Sequence, residues 1–478
     1  MTYEEAVKYL LSLGSELAAP RQPASTGGGP GRVAKFDLRN ISVLAEHLGS
    51  PHRAYPSVHV AGTNGKGSTA AMLESILRTA GYKTGLYTSP HLERINERIR
   101  INGSEISDLE FAVAFTRVQE LIERLLAAGP EASGLHAHPT FFECVTAMAF
   151  DCFARDHVDF AVFEVGMGGR LDSTNIITPE VAVITQIDFD HENYLGHSIE
   201  EIAAEKAGII KPNEWVVSAA ERPEARAVVR RRCDEMNARL VEIDEAYRTS
   251  GWSAGILPVL SPSKTTAETA ALRHGIVVQE ADSNWQIELT VPLAGLFQVR
   301  NAVTAVAAAC RLAERGFHIS DGAMREGIAA VEWPGRLELL QERPAVYVDG
   351  THNPAGAREL LKFWEERFPG RRIHLVYGAV RDKAVDEIAG LLFPHAASVI
   401  LTQAKTSRAI SVTALKEITA HLAPAAEVEP DAAKALHRAL ERAADDDVVF
   451  ATGSLYLVGD LRRWWRERSG QAAERAAS

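Results

Sequence analysis

The sequence predicts an α/β protein with a P-loop-type N-terminal domain built on a mostly parallel sheet, followed by a smaller Rossmann-like C-terminal α/β domain. Three observations predict it. A glycine-rich turn, Ala61-Gly62-Thr63-Asn64-Gly65-Lys66-Gly67-Ser68-Thr69, is led by an apolar run containing Val58 and Val60 and is followed by a helical pattern. Two near-continuous apolar runs, residues 160–166 and 181–185, read as parallel strands buried on both faces. A second series of alternating strands and helices begins after the breaker Trp333-Pro334-Gly335-Arg336, which sets expected domains at 1–334 and 335–478.

Bulk properties exclude several classes. At 478 residues the chain exceeds one ordinary core. Its apolar content of 46% and charged content of 24% are those of a globular protein. A formal charge of −12 argues against a general nucleic-acid binder, although local basic groups can still hold anionic ligands. Cys144, Cys152, Cys233 and Cys310 form no C-x-x-C pair and read as free thiols of a reducing cytoplasm. The opening, Met1 to Ala6, reads as an amphipathic helix without a basic start or an apolar signal core. No run approaches the ~20 apolar residues of a membrane span, so no membrane contact is expected.

The first helix reaches Gly14, and Pro20 to Gly31 is a Gly/Pro-rich loop. Phe36, Asp37 and Leu38 precede a short helix closed by Gly49, where an ordinary hydrophobic staple accounts for them. In the glycine-rich turn, Gly62, Gly65 and Gly67 let backbone N–H groups crowd an anion, and Lys66 adds charge at the new helix's positive end. The strand at 83–87 runs into Thr88-Ser89-Pro90-His91-Leu92, and Pro90 puts Ser89 on a loop at a strand end, where α/β sites form.

Helices follow at 108–128 and 140–154. Thr140-Phe141-Phe142-Glu143 opens the second with a capping box that explains those residues fully. Glu164 ends an apolar strand, where a carboxylate needs a partner that a cation near the phosphate loop would supply. The strand at 181–185 delivers Asp188, Asp190, His191 and Glu192 to its C-terminal end. A helix opening at Ser198 places Lys206 on the face of Ile199 and Ile202, an apolar position that a snorkelling stem would explain. Residues 214–290 alternate weak patterns and read as periphery, before the segment 293–302 enters an Ala-rich helix. Arg336 is by default an exposed linker charge, and strands at 345–348, 373–377, 398–401 and 448–452 make the second sheet.

Gly-Thr-Asn-Gly-Lys-Gly-Ser departs from the general G-x-x-x-x-G-K-[ST] pattern and resembles the loop of the Mur ligase superfamily, in particular its folylpolyglutamate synthase/dihydrofolate synthase branch. The resemblance runs from residue 35 to about 460. It continues through Thr-Ser-Pro-His-Leu at 88–92, the glycine-rich Arg170-Leu171-Asp172-Ser173 signature, Asp190-His191 with Leu195-Gly196, Glu205-Lys206-Ala207-Gly208, Pro334-Gly335-Arg336 and Asp349-Gly350-Thr351-His352-Asn353-Pro354. It implies an ATPase domain whose residues 62–68, with Asn301, Arg336 and Asp349, bind ATP. It also implies that Ser89, Glu164, His191 and a carbamylated Lys206 hold two magnesium ions, and that His352 faces the incoming amino acid. Phe36 to Leu38, Thr140 to Glu143, Leu171 to Ser173 and Ser454 would line the folate or pteroate site. Where the family has His, this chain has Phe297, which puts a polar role there in doubt.

The reaction implied is ATP-dependent addition of L-glutamate to dihydropteroate or reduced folates through an acyl phosphate, catalysed by a cytoplasmic monomer with Lys66, Lys206 and His352 in the chemistry. A muramyl-peptide ligase, or a nucleotide-binding switch protein that is no ligase, are the alternatives.

Overall fold

Apolar runs buried on both faces belong inside a parallel sheet flanked by helices, and the first sheet is built that way. The computed structural model describes residues 1–14, 37–256, 272–381 and 383–477; Phe36, the loop at 20–31 and the interval 261–266 lie outside them. Strands β1 (Ser57–Ala61), β2 (Thr84–Tyr87), β3 (Ile99–Ile101), β4 (Ser104–Glu105), β5 (Phe160–Glu164), β6 (Val181–Ile184), β7 (Trp215–Ser218) and β8 (Arg239–Glu242) form one sheet in the order β4-β3-β2-β5-β1-β6-β7-β8. From β2 to β8 it is parallel, and the β3–β4 hairpin adds an antiparallel edge. Register sets Val60 of β1 beside Glu164 of β5 and Val183 of β6, so the loop after β1, the carboxylate of β5 and the loop after β6 emerge at one sheet edge.

The glycine-rich turn leads into helix Lys66–Thr79, whose N-cap Gly65 has φ +88°. A side chain there would meet the Asn301 amide as well as the strain of that backbone. On its far side this helix packs against helices Leu296–Glu314 and Asp321–Ala329. Gly327 makes the close approach possible: a Cβ at 327 would lie 2.6 Å from Ile76 Cα, and the Ser75 hydroxyl donates to Gly327 O at 2.7 Å. The capping box expected at Thr140 forms, and Ser198 makes another with Glu201.

The weak patterns of 214–290 divide into two parts. β7 and β8 extend the main sheet, while β9 (Tyr247–Ile256), β10 (Leu272–Glu280) and β11 (Gln286–Val291) make a separate antiparallel sheet. The residues of its β10 and β11 that are buried alternate along the chain and join the core under helix Leu296–Glu314.

The second sheet comprises β12 (Glu338–Glu342), β13 (Ala345–Val348), β14 (Ile373–Tyr377), β15 (Ser398–Gln403), β16 (Glu427–Asp431) and β17 (Val448–Thr452), in the order β12-β13-β17-β14-β15-β16. Only β12 is antiparallel to its neighbour. Helix Leu455–Ala477 follows β17. Its Arg462 and Arg466 pair with Glu93, in the loop that carries Ser89, and Arg462 also pairs with Glu338 at 2.7 Å. Glu338 in turn accepts from the linker's Gly335 N–H at 2.7 Å. The second lobe is thus fastened to the first beside the linker.

Candidate active site

The two lobes enclose a cleft of ≈ 310 Å³ at the C-terminal ends of β1, β5 and β6. Residues 62–68, Ser89, Glu164, His191, Lys206, Asn301, Arg336, Asp349 and His352, all singled out in the sequence, line it. This is where topology places sites in parallel α/β sheets.

On the first lobe, Lys66 donates to Gly62 O at 3.1 Å and Thr63 O at 3.0 Å, folding back over its own loop. Burial lowers its pKa, opposed by Glu164 and Asp190. The Glu164 carboxyl is raised by burial, which Lys66 opposes first, and it accepts the Ser89 N–H at 3.0 Å. Lys206 donates to Gly62 O at 2.8 Å from beneath the loop. Burial, followed by repulsion from Lys66, pushes its amine down to about 7. The snorkelling alternative does not describe it, since Lys206 is only 3% exposed.

On the second lobe, Asp349 accepts from Leu337 N at 2.8 Å and Thr351 N at 3.0 Å, tying the linker to the turn after β13. Arg336 is half-buried in the cleft wall, and its desolvation lowers its pKa against the attraction of Asp349 and Glu164, so it is not the exposed linker charge it would be by default. His352 is oriented by a 2.8 Å bond from Nδ1 to Gly350 O, leaving Nε2 3.6 Å from Asp190.

The lobes meet across polar contacts whose pairings local sequence did not suggest. Asn353 donates to Asn64 Oδ1 at 2.9 Å and to Asp190 at 3.1 Å, while its own oxygen caps helix Pro354–Arg367 through Gly356 N. Lys383 Nζ lies 2.6 Å from Asp190 Oδ1 and 3.2 Å from His191 Nε2. Burial alone would raise the Asp190 carboxyl, but Lys383 and His352 hold it well below the usual carboxylate range. At the far end Arg300 pairs with Asp244 at 2.6 Å and with Glu221 at 3.4 Å.

Apart from Asn301, the remaining candidates lie outside this cleft. Asn301 lines it and donates to Gln298 at 2.9 Å, but Gln298 itself is fully buried behind it. Asp37 pairs with Arg39 at 2.6 Å, and Leu38 is the N-cap of helix Arg39–His47. Phe141 is buried under the Arg98 guanidinium at 5.2 Å, Phe142 packs on Gly166, and Thr140 and Glu143 cap their own helix. The Asp172 carboxylate accepts the Gly166 and Met167 N–H groups at 3.0 Å each, beside Leu171 and the buried Ser173. Ser454 is buried and its hydroxyl accepts from Leu457 N at 3.2 Å.

A phosphate-type loop over a parallel sheet, with lysines above and below it and a second α/β lobe closing the cleft, defines a two-lobed nucleotide-dependent ligase fold. The Mur ligase middle-domain model matches residues 60–309, and the Mur ligase glutamate ligase domain model matches residues 335–455. The dihydrofolate synthase/folylpolyglutamate synthase of Bacillus subtilis is 36% identical over 90% of this chain and 95% of its own. Mycobacterium tuberculosis folylpolyglutamate synthase, crystallised with ADP and AMPPCP, superposes with a TM-score of 0.80 at 34% identity over 90% of this chain and 95% of its own. A bifunctional folylpolyglutamate synthase/dihydrofolate synthase with Mn, AMPPNP and L-glutamate bound gives 0.78 at 28% identity, over 98% of both chains. The chain belongs to the folylpolyglutamate synthase/dihydrofolate synthase family of the Mur ligases.

Proposed function

We propose that this enzyme is an ATP-dependent amide ligase that adds L-glutamate to dihydropteroate, to reduced folates, or to both, through an acyl phosphate. The observation that carries the reading is the cleft itself, where Lys66, Lys206 and Glu164 face His352 and Asn353 across a gap between lobes. Residues 1–334 would bind ATP and the folate or pteroate, and 335–478 the amino acid.

A carboxylate oxygen is a poor leaving group, so the acid must be activated first. The γ-phosphoryl moves from ATP to the substrate carboxylate: one P–O bond to ADP breaks as one to the carboxylate forms. The amine of glutamate then attacks the acyl carbon, phosphate departs with its electron pair, and the nitrogen loses a proton. Lys66 and Arg336 lie where they can offset charge on the moving phosphoryl group. His352 Nε2 faces the gap from the amino-acid side, and apposed lobes exclude the water that would hydrolyse the acyl phosphate.

The oxygen-rich set of Glu164, Ser68 and Ser89 suits magnesium, and His191 and a carbamylated Lys206 would complete the two expected sites. Bound there, magnesium would neutralise phosphate charge. Carbamylation joins the Lys206 nitrogen to carbon dioxide with loss of a proton, which requires the neutral amine that burial favours. It would also turn repulsion from Lys66 into attraction. Residues flanking Asp172 and Phe142 would border the pteroate pocket. Four free cysteines suit a cytoplasmic enzyme, which we take to be monomeric; among the described residues no helix is long and apolar enough to cross a membrane.

The test is purified protein with ATP, magnesium and L-glutamate, offered dihydropteroate, tetrahydrofolate or a muramyl peptide, with products weighed by mass spectrometry. ADP release that depends on a pteroate or folate, with product heavier by one glutamyl residue, is expected. Equal turnover of the muramyl peptide, or ATP hydrolysis indifferent to acceptor, would overturn the proposal.

A further inference from the structure

We infer that His59 is a positioning residue for the nucleotide, acting through Thr174 and Asp172 on the backbone of Gly166 and Met167. The inference rests on the nucleotide reading above. His59 is fully buried in β1, the strand that delivers the phosphate loop, among Val58, Val60 and Ala61. Its Nε2 lies 2.7 Å from Thr174 Oγ1, and that oxygen lies 2.5 Å from Asp172 Oδ1.

Proton counting sets the direction. Burial raises the Asp172 carboxyl, but the Thr174 hydroxyl and the N–H groups of Gly166, Met167 and Thr174, each at 3.0 Å, all oppose that shift and are donors matched to the ionised form. The hydroxyl has one proton and gives it to Asp172, so its oxygen accepts from His59. That selects the Nε2–H tautomer and leaves Nδ1 bare, and Nδ1 is buried with no hydrogen-bond partner among the described residues. Burial, with Lys211 nearby, lowers the ring's pKa to about 3, in keeping with a neutral imidazole. An aliphatic residue at 59 would bury no unmatched nitrogen. What offsets that nitrogen is the bond to Thr174.

The chain of contacts ends at the cleft. Gly166, Met167 and Gly168 line it opposite the phosphate loop. His59 therefore connects the strand bearing one wall of the phosphate site to the backbone forming the other, and fixes the spacing between them.

The test is ADP affinity of the full chain by titration calorimetry, with the KM for L-glutamate alongside. His59→Leu and Thr174→Val should each weaken ADP binding about ten-fold. His59→Gln, whose amide N–H can replace the Nε2–H donor, should recover most of it. The KM for L-glutamate should hold in all three. If His59→Leu fails to fold, Thr174→Val carries the test. ADP affinity unchanged in Thr174→Val overturns the proposal, as does His59→Gln no better than a folded His59→Leu, or a parallel rise in the L-glutamate KM. Wild-type protein that does not bind ADP would instead overturn the nucleotide reading.

Discussion

Replacing Lys206 with methionine should change how stability depends on pH. The amine sits 2.8 Å from Gly62 O, and burial, then Lys66, lower it from 10.5 to about 7. That gap corresponds to roughly 5 kcal/mol. The unfolded chain binds this proton up to its ordinary pKa, whereas the folded chain binds it only below about 7, so between these limits the unfolded state holds more protons. Stability of the wild type should therefore rise with pH across that window, with the cost fully present below it. Methionine keeps the aliphatic stem and removes the charge. In carbon dioxide-free buffer its thermal unfolding midpoint should exceed the wild type's near neutrality, and the difference should shrink towards about pH 10. The same depression leaves about half the amines neutral at pH 7, against about one in three thousand for an ordinary lysine. Bicarbonate should then add the mass of one carbon dioxide to the wild type alone. Unfolding curves that run parallel across the whole window would refute the argument.

Lys66→Ala should lower kcat by about 10²–10³-fold, the scale for removing one preorganised donor, while the melting temperature holds; near-normal turnover in a coupled ADP-release assay would contradict its role. Gly327→Ala should cost about 1–3 kcal/mol in urea unfolding, because the new methyl meets the backbone of Ile76 at 2.6 Å and neither helix backbone can yield locally. Unchanged stability would mean the two helices are less tightly apposed than described.

What local pattern carries, the sequence made legible. Glu164 and Lys206 stood out as charges in apolar settings, and the glycine spacing marked the loop; all three converge on the cleft. The fold class followed from runs that only a doubly covered strand explains. Contacts between distant segments left no such trace. Lys383 meets Asp190 across nearly two hundred residues, and Arg300 meets Asp244 across 56, because neither periodicity nor spacing records which segments face each other. Asp172 shows the converse: its place in a motif pointed to a ligand, while its carboxylate holds backbone N–H groups. The strands of 247–291 escaped notice because an antiparallel sheet packed on one face only has weak, interrupted alternation.

The attachment of helix Leu455–Ala477 has a mechanical consequence. With the linker at Gly335 and the Arg462–Glu93 contact close together, the second lobe is pinned along one margin. A body held there keeps chiefly one rotation, about the line through the pins. Lys383, Asn353 and Arg358, which reach Asp190, Asn64 and Asp188 of the first lobe, must part before any such rotation can open the cleft.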